Sequence, residues 1–148
     1  TLADERARDR SEPALLRMRI AVWRGKDDLV KDARQRAGRA IRDAKGSNGV
    51  LLRLFHAEDH KTSVEPAQAL AMTAGIAPRA RAHIHSLLAE RLALAGDIRG
   101  ATASVKAARD AGLLDLLWLE KCTALDGLRL RADFTSLVSD VRSAIEAK

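Results

Sequence analysis

The chain has 148 residues, of which 47% are hydrophobic, so it is long and apolar enough to form one domain with a sizeable core. This content excludes a wholly disordered chain, and no apolar run approaches the roughly 18 residues that would span a membrane. Aromatic residues make up 3%, Tyr is absent, and Ala, Leu and Arg dominate, which favours an all-α fold. The net charge is +6, and most of the excess of Lys and Arg falls within residues 1–50.

The N-terminal part predicts a polar lead-in over residues 1–10 and then a helical hairpin over residues 11–46. Ser11 favours a helix start, Gly25 ends that helix, and Gly46 ends the next one. In the first helix we expect one apolar row with further apolar residues beside it, and in the second helix an apolar face. The row is Leu16, Ile20 and Trp23, its neighbours are Leu15, Met18 and Val22, and the face of the second helix is Val30, Ala33, Ala37, Ala40 and Ile41.

Residues 47–76 predict a second hairpin, and residues 77–112 predict a third, which is the best defined. The third has a corner at Ala95–Asp97 that is too short for anything but an antiparallel pair of helices. Its apolar residues recur at helical spacing on both sides of that corner. They are Ile84, Leu87, Leu88, Leu92 and Ala95 before it, and Ile98, Ala101, Val105 and Ala108 after it.

Residues 113–148 predict a terminal hairpin with a capping helix. The segment from Leu113 to Lys121 is apolar nearly all round, so we expect it to be the most buried part of the chain. A bend follows, and an amphipathic helix runs from Asp133 to about Ala147 with Phe134, Leu137, Val138, Val141 and Ile145 on its apolar face. Four hairpins of similar length predict an α-solenoid within a single domain, residues 1–148.

The stretch from Ala82 to Asp115 resembles a tetratricopeptide repeat, whose unit is about 34 residues long. Small residues of the motif let two helix backbones approach closely, and larger ones fill the gaps beside them. His85 and Leu113 depart from the pattern, in which Trp and Pro are usual. The matching positions are Leu88, Ala89, Leu92, Gly96, Ala101, Val105 and Ala108.

The C-terminal residues from Trp118 to Ile145 also resemble the tail of bacterial tetratricopeptide arrays, with Ala132-Asp133-Phe134 in place of an Asp-Pro-x-Phe helix start. The resemblance implies a right-handed stack of about four antiparallel helical hairpins with a C-terminal capping helix. It also implies a non-catalytic protein–protein interaction module from the C-terminal region of a larger bacterial signalling protein, such as a serine/threonine kinase or an ATPase-type regulator. Any kinase or ATPase activity would then reside upstream of this fragment.

In this family the inner helices line a groove that holds peptides. Carried over position by position, the resemblance implies that the groove residues are His83, Ser86, Glu90, Ala93 and Leu94. We therefore expect a protein or peptide partner, and the mixed His, Ser and Glu surface suits a polar or basic peptide. A homodimer through an exposed terminal hairpin is a further expectation, because the end of an array exposes apolar surface.

A basic run in the N-terminal third supports an alternative, a helical domain that binds nucleic acid or an anionic surface. The candidate residues are Arg34, Arg36, Arg39 and Arg42. Asp32 and Asp43 dilute the positive charge, and aromatic residues for base stacking are missing nearby, so nucleic acid is the less favoured partner.

The sequence predicts no catalytic constellation, cofactor or metal site, because it contains neither a Gly-rich phosphate loop nor a nucleophile elbow. His56 and His60 have the i, i+4 spacing of zinc ligands, with Glu58 and Asp59 between them, but a third ligand is not evident. Cys122 is the single cysteine, which excludes an internal disulfide and favours a reducing cytoplasm and a core position. We expect both tryptophans, Trp23 and Trp118, to anchor the core.

Overall fold

A computed structural model of the chain describes residues 11–43, 52, 56 and 75–147. Every regular element in these ranges is a helix and none is a strand, which confirms the all-α prediction for them. The chain divides into two compact units, Thr1–His60 and Lys61–Lys148. The predicted lead-in and nearly all of the predicted second hairpin, residues 47–76, lie outside the described residues.

In the described part of the first unit, α1 (Ser11–Arg24) and α2 (Asp27–Asp43) pack against each other. Gly25 makes the reversal between them with a φ of 61°, and its N–H donates to the carbonyl of Val22 at 3.1 Å. Asp27 and Asp28 lie in the first turn of α2, where their charges complement the helix dipole. The hairpin predicted here is confirmed over these residues.

The buried face of α1 differs from the prediction. Leu15, Met18 and Val22 are buried, whereas Leu16, Ile20 and Trp23 are 53%, 39% and 36% exposed. The helix is apolar over most of its circumference, so periodicity alone did not decide which of two overlapping rows would face α2. The prediction of Trp23 as a core anchor is therefore wrong, and the guanidinium of Arg19 lies 4.6 Å above its ring.

In the second unit, α3 (Pro78–Leu94) and α4 (Ile98–Asp110) form the predicted third hairpin. Gly96 takes a φ of 84° at the corner, and the side chain of Asp97 caps α4 by accepting a hydrogen bond from the N–H of Gly100 at 2.8 Å. The predicted apolar residues are fully or nearly fully buried apart from Ala95 and Ile98 at the corner. The buried ones are Ile84, Leu87, Leu88, Leu92, Ala101, Val105 and Ala108.

Three further elements are described in the second unit: α5 (Leu116–Lys121), a 3₁₀ helix (Thr123–Leu128) and α6 (Ala132–Glu146). The 3₁₀ helix packs on α3 and α4, and α6 packs on α4 and α5, so one core joins all five elements. The predicted bend and final amphipathic helix are confirmed. The core residues from this part are Leu119, Cys122, Ala124, Leu125, Leu128, Phe134, Leu137 and Val141.

The segment from Leu113 to Lys121 is not the most buried part of the chain, which corrects the prediction. Only Leu119 in this segment is fully buried, while Leu114 and Leu117 are 39% and 70% exposed. The helix within it is six residues long and has fewer than two turns, so it can present one side to the core and leaves its other apolar side chains outside.

Candidate functional site

The five residues predicted to line a peptide groove do not form one open surface. His83 is exposed, Ala93 and Leu94 pack partly against the core, and both Ser86 and Glu90 are buried. The hydroxyl of Ser86 donates to the carbonyl of Ala82 at 2.8 Å, which uses its donor inside α3. The groove assignment is therefore corrected at Ser86 and Glu90.

Glu90 instead connects α3 to the segment that contains α5. Its Oε1 accepts a hydrogen bond from Nε1 of Trp118 at 2.6 Å and contacts the thiol of Cys122 at 3.6 Å. Glu90 is fully buried and needs such donors, because a buried carboxylate without them would lower the free energy of unfolding by about 3–5 kcal/mol. Trp118 packs against the core and Cys122 is buried, so both match the core positions predicted for them.

The basic run on α2 is spread around the helix. At about 100° per residue, Arg34 and Arg36 lie roughly 160° apart around the helix, and Arg42 lies roughly 80° from Arg34. The side chain of Arg39 lies outside the described residues. Arg36 also pairs with Asp32 at 2.9 Å, so part of the charge of the run is neutralised locally. Arg34 is half-buried and Arg42 is exposed, and these positions do not combine into a single flat patch.

A cleft of about 450 Å³ lies between α4 and α6 in the second unit. Four cations, two carboxylates, two hydroxyls and two small or apolar side chains surround it. They are Arg99, Lys106, Arg109, Arg131, Asp133, Asp140, Thr102, Ser136, Ala103 and Leu137. Positive charges therefore outnumber negative charges among the residues that line this concave surface.

Two of the cations in the cleft are held by ion pairs. Arg109 extends from α4 to Asp140 of α6 at 2.8 Å and to Asp110 at 2.8 Å. These contacts, led by the hydrogen bond to Asp110, raise the pKa of the Arg109 guanidinium. Arg131 binds Asp133 through two hydrogen bonds of 3.0 Å, and this contact lowers the pKa of the Asp133 carboxyl.

The other two cations, Arg99 and Lys106, are exposed and make no ion pair with the residues described in the structure. They lie on one face of α4, opposite the buried residues Ala101, Val105 and Ala108. Thr102, between them, also lines the cleft, and its hydroxyl donates a hydrogen bond to the carbonyl of Ile98 at 2.9 Å. The sequence-based prediction did not include Arg99 and Lys106, although their spacing of seven residues could have indicated that both lie on the polar face of α4.

A metal site is not formed by the described residues, in which no three His, Cys, Asp or Glu side chains cluster. His56 is half-buried, whereas the other members of its predicted cluster, Glu58, Asp59 and His60, lie outside the described residues. Within the same described ranges, no helix combines the length and apolar character needed to cross a membrane.

Comparison of the chain with protein-family models, with curated proteins and with solved structures found no match in any of the three. The resemblance to tetratricopeptide repeats therefore has no support beyond the residues that carry it, and the geometry of the second unit has to support any functional proposal.

Proposed function

We propose that this chain is a non-catalytic protein–protein interaction module and that the cleft between α4 and α6 binds a peptide segment of its partner. The observation that carries the proposal is the cleft itself. Its volume of about 450 Å³ falls within the range of roughly 300–1,000 Å³ that is typical of ligand sites. Its mixed lining of cations, carboxylates and hydroxyls suits a peptide, which brings charged side chains and a hydrogen-bonding backbone.

The packing of both cleft walls on one core also supports this proposal. The ion pair between Arg109 and Asp140 joins the two walls, and Phe134, Leu137 and Val141 fix α6 to the core beneath. Because the walls are already held in place, a ligand would bind without a large entropic cost of ordering them.

The proposal extends to the architecture and its setting. The third hairpin, with buried Ala89, Ala101 and Ala108 between its helices, supports a tetratricopeptide-like solenoid of four hairpins in which α6 is the cap. By the same resemblance we propose that the module belongs to the C-terminal region of a bacterial signalling protein. The chain has a single cysteine, which cannot form an internal disulfide, and this supports a reducing cytoplasmic location.

Self-association through the first hairpin is part of the same proposal. Its support is the apolar row of Leu16, Ile20 and Trp23, which lies on the exposed side of α1. The alternative, binding of nucleic acid through the basic run on α2, has less support because the run is dispersed around the helix and Arg36 is paired.

Selection of displayed peptides on the folded chain tests the proposed function. We expect selected peptides to bind the parent and to lose binding to Ala103→Trp, because the indole would fill the cleft from its α4 wall. Ala144→Trp is the matched control, since Ala144 is exposed on α6 and does not line the cleft. Failure to select any peptide, or selected peptides that bind Ala103→Trp as well as the parent, would contradict the proposal.

A further inference from the structure

We propose that the cleft between α4 and α6 recognises an acidic, extended peptide segment, and that Arg99 and Lys106 each bind one of its carboxylates. This inference rests on the proposed function and specifies the chemistry of the partner. It replaces the expectation of a polar or basic peptide, which depended on Ser86 and Glu90 facing an open groove.

The first step is the balance of charge within the cleft. Asp133 pairs with Arg131 at 3.0 Å and Asp140 pairs with Arg109 at 2.8 Å, and Arg109 also pairs with Asp110, which lies outside the lining. With Asp110 counted, four cations face three carboxylates, and the two cations without an ion pair among the described residues, Arg99 and Lys106, are both exposed. A ligand that enters therefore meets a net positive field, which attracts carboxylates and repels basic segments.

The second step is the spacing of these two cations. They are seven residues apart on α4, which corresponds to two helical turns and about 10.5 Å along the axis. A peptide in the extended polyproline II conformation has three residues per turn and advances about 3.1 Å per residue, so two carboxylates at positions i and i+3 lie on the same face and are about 9.3 Å apart. The ligand pattern predicted by this geometry is Glu-x-x-Glu, with either Glu replaceable by Asp.

The third step concerns what gives selectivity. Leu137 is 5% exposed and offers little apolar area to a ligand, so the charges and the hydroxyls of Thr102 and Ser136 dominate recognition. A nucleic acid fits the cleft less well than a peptide. Its continuous row of phosphates would have to pass the carboxylates of Asp133 and Asp140, and the lining has no aromatic residue for base stacking.

Fluorescence anisotropy with a labelled 12-residue Gly/Ser peptide that carries one Glu-x-x-Glu pair tests this inference. At about 20 mM salt, where exposed charges are weakly screened, we expect the peptide to bind the parent. We expect Arg99→Gln/Lys106→Gln to weaken binding about fivefold, the size typical of two exposed ion pairs. Lys31→Gln/Arg42→Gln is the matched control, because it removes the same charge from exposed positions on α2 and should change affinity by less than about twofold.

Equal weakening by both double variants would overturn the inference, since the effect would then come from net charge alone. A peptide with Gln in place of both Glu that bound equally well would also overturn it, as would failure of the Glu peptide to bind. In each of these cases the proposed function stands if the selected displayed peptides still bind the parent and lose binding to Ala103→Trp. A 12-nucleotide single strand is the last probe. If it bound the parent more tightly than the Glu peptide does, and if Arg99→Gln/Lys106→Gln lost that binding, the inference would be overturned in favour of nucleic acid.

Discussion

His85 and Glu90 are polar side chains buried in the same helix, α3, and the structure accommodates them in two different ways. Glu90 accepts hydrogen bonds from Trp118 and Cys122, which replace the water it loses. His85 avoids the cost of a buried charge by favouring its neutral form, because burial, and secondarily the positive charge of Arg81, lowers its pKa. The burial of His85 therefore predicts that the stability of the chain depends on pH.

Stability should fall when the pH is lowered from 7 to 5, and His85 should contribute to that fall. The pKa of His85 lies below its usual value of 6.5 in the folded chain, so the unfolded chain binds more protons in this range. The contribution of His85 is fully present above pH 6.5 and is lost as the pH falls towards its lowered pKa. Thermal melts at pH 7 and pH 5 should show a smaller loss of Tm for His85→Gln than for the parent.

His83→Gln is the control for this measurement, because His83 lies on the same helix two residues away and is exposed. It should change the loss of Tm between pH 7 and pH 5 by less than His85→Gln does, because the side chain of His83 is not buried. If His85→Gln and His83→Gln behaved alike, burial of His85 would not be the origin of the pH dependence.

At the scale of elements, the start of α4 depends on two residues that fit each other. A Cβ on residue 100 would lie 2.4 Å from Oδ2 of Asp97, so Gly100 leaves space for the carboxylate that caps the helix. Asp97→Ala should destabilise the chain by about 1 kcal/mol, because the Gly100 N–H loses its acceptor. Urea denaturation measures this loss.

Asp110→Ala is the control for this measurement. It removes the same charge from the other end of α4 and should change stability by less than about 0.5 kcal/mol. Equal losses in the two variants would show that the cap does not stabilise α4.

The elements that could be predicted from the sequence are those whose signals are local. The third hairpin has one apolar stripe per helix and a corner at Gly96, and its predicted core is the observed one apart from two corner residues. Where a helix is apolar on several sides, as α1 and α5 are, tertiary contacts choose the buried side. Leu15 rather than Leu16 is buried because of the position of α2, and the apolar periodicity of α1 carries no information about that position.

The candidate site was harder to predict than the fold because it joins two elements that are distant in sequence. Arg109 meets Asp140 across 31 positions, and each looks like an ordinary solvent-facing charge in its own helix. Only the docking of α6 on α4 creates the cleft and leaves Arg99 and Lys106 as its unneutralised cations. The burial of Glu90 was not predicted for a different reason. Its neighbours Ala89 and Leu92 are apolar, and that local setting could have indicated burial.

For the whole molecule, the net charge of +6 is the property that a nucleic acid would sense first. In the described part of the first unit, however, the positive charges of α2 are interspersed with Asp27, Asp28, Asp32 and Asp43. In the second unit, the cations of the cleft alternate with carboxylates. Neither described surface offers the continuous basic stripe that follows a phosphate backbone.

Binding to duplex DNA should therefore be weak and independent of sequence. We expect a Kd no tighter than about 10 µM at physiological salt, which is typical of nonspecific electrostatic contacts. Anisotropy titrations with two unrelated 20-base-pair duplexes, each at 50 and 150 mM salt, should give equal affinities that fall as salt rises. Arg34→Gln/Arg36→Gln should weaken binding to both duplexes alike, because contacts to phosphate carry no sequence information. A nanomolar complex with one duplex at 150 mM salt would instead require base contacts, and it would make nucleic acid, rather than an acidic peptide, the natural partner of this fold.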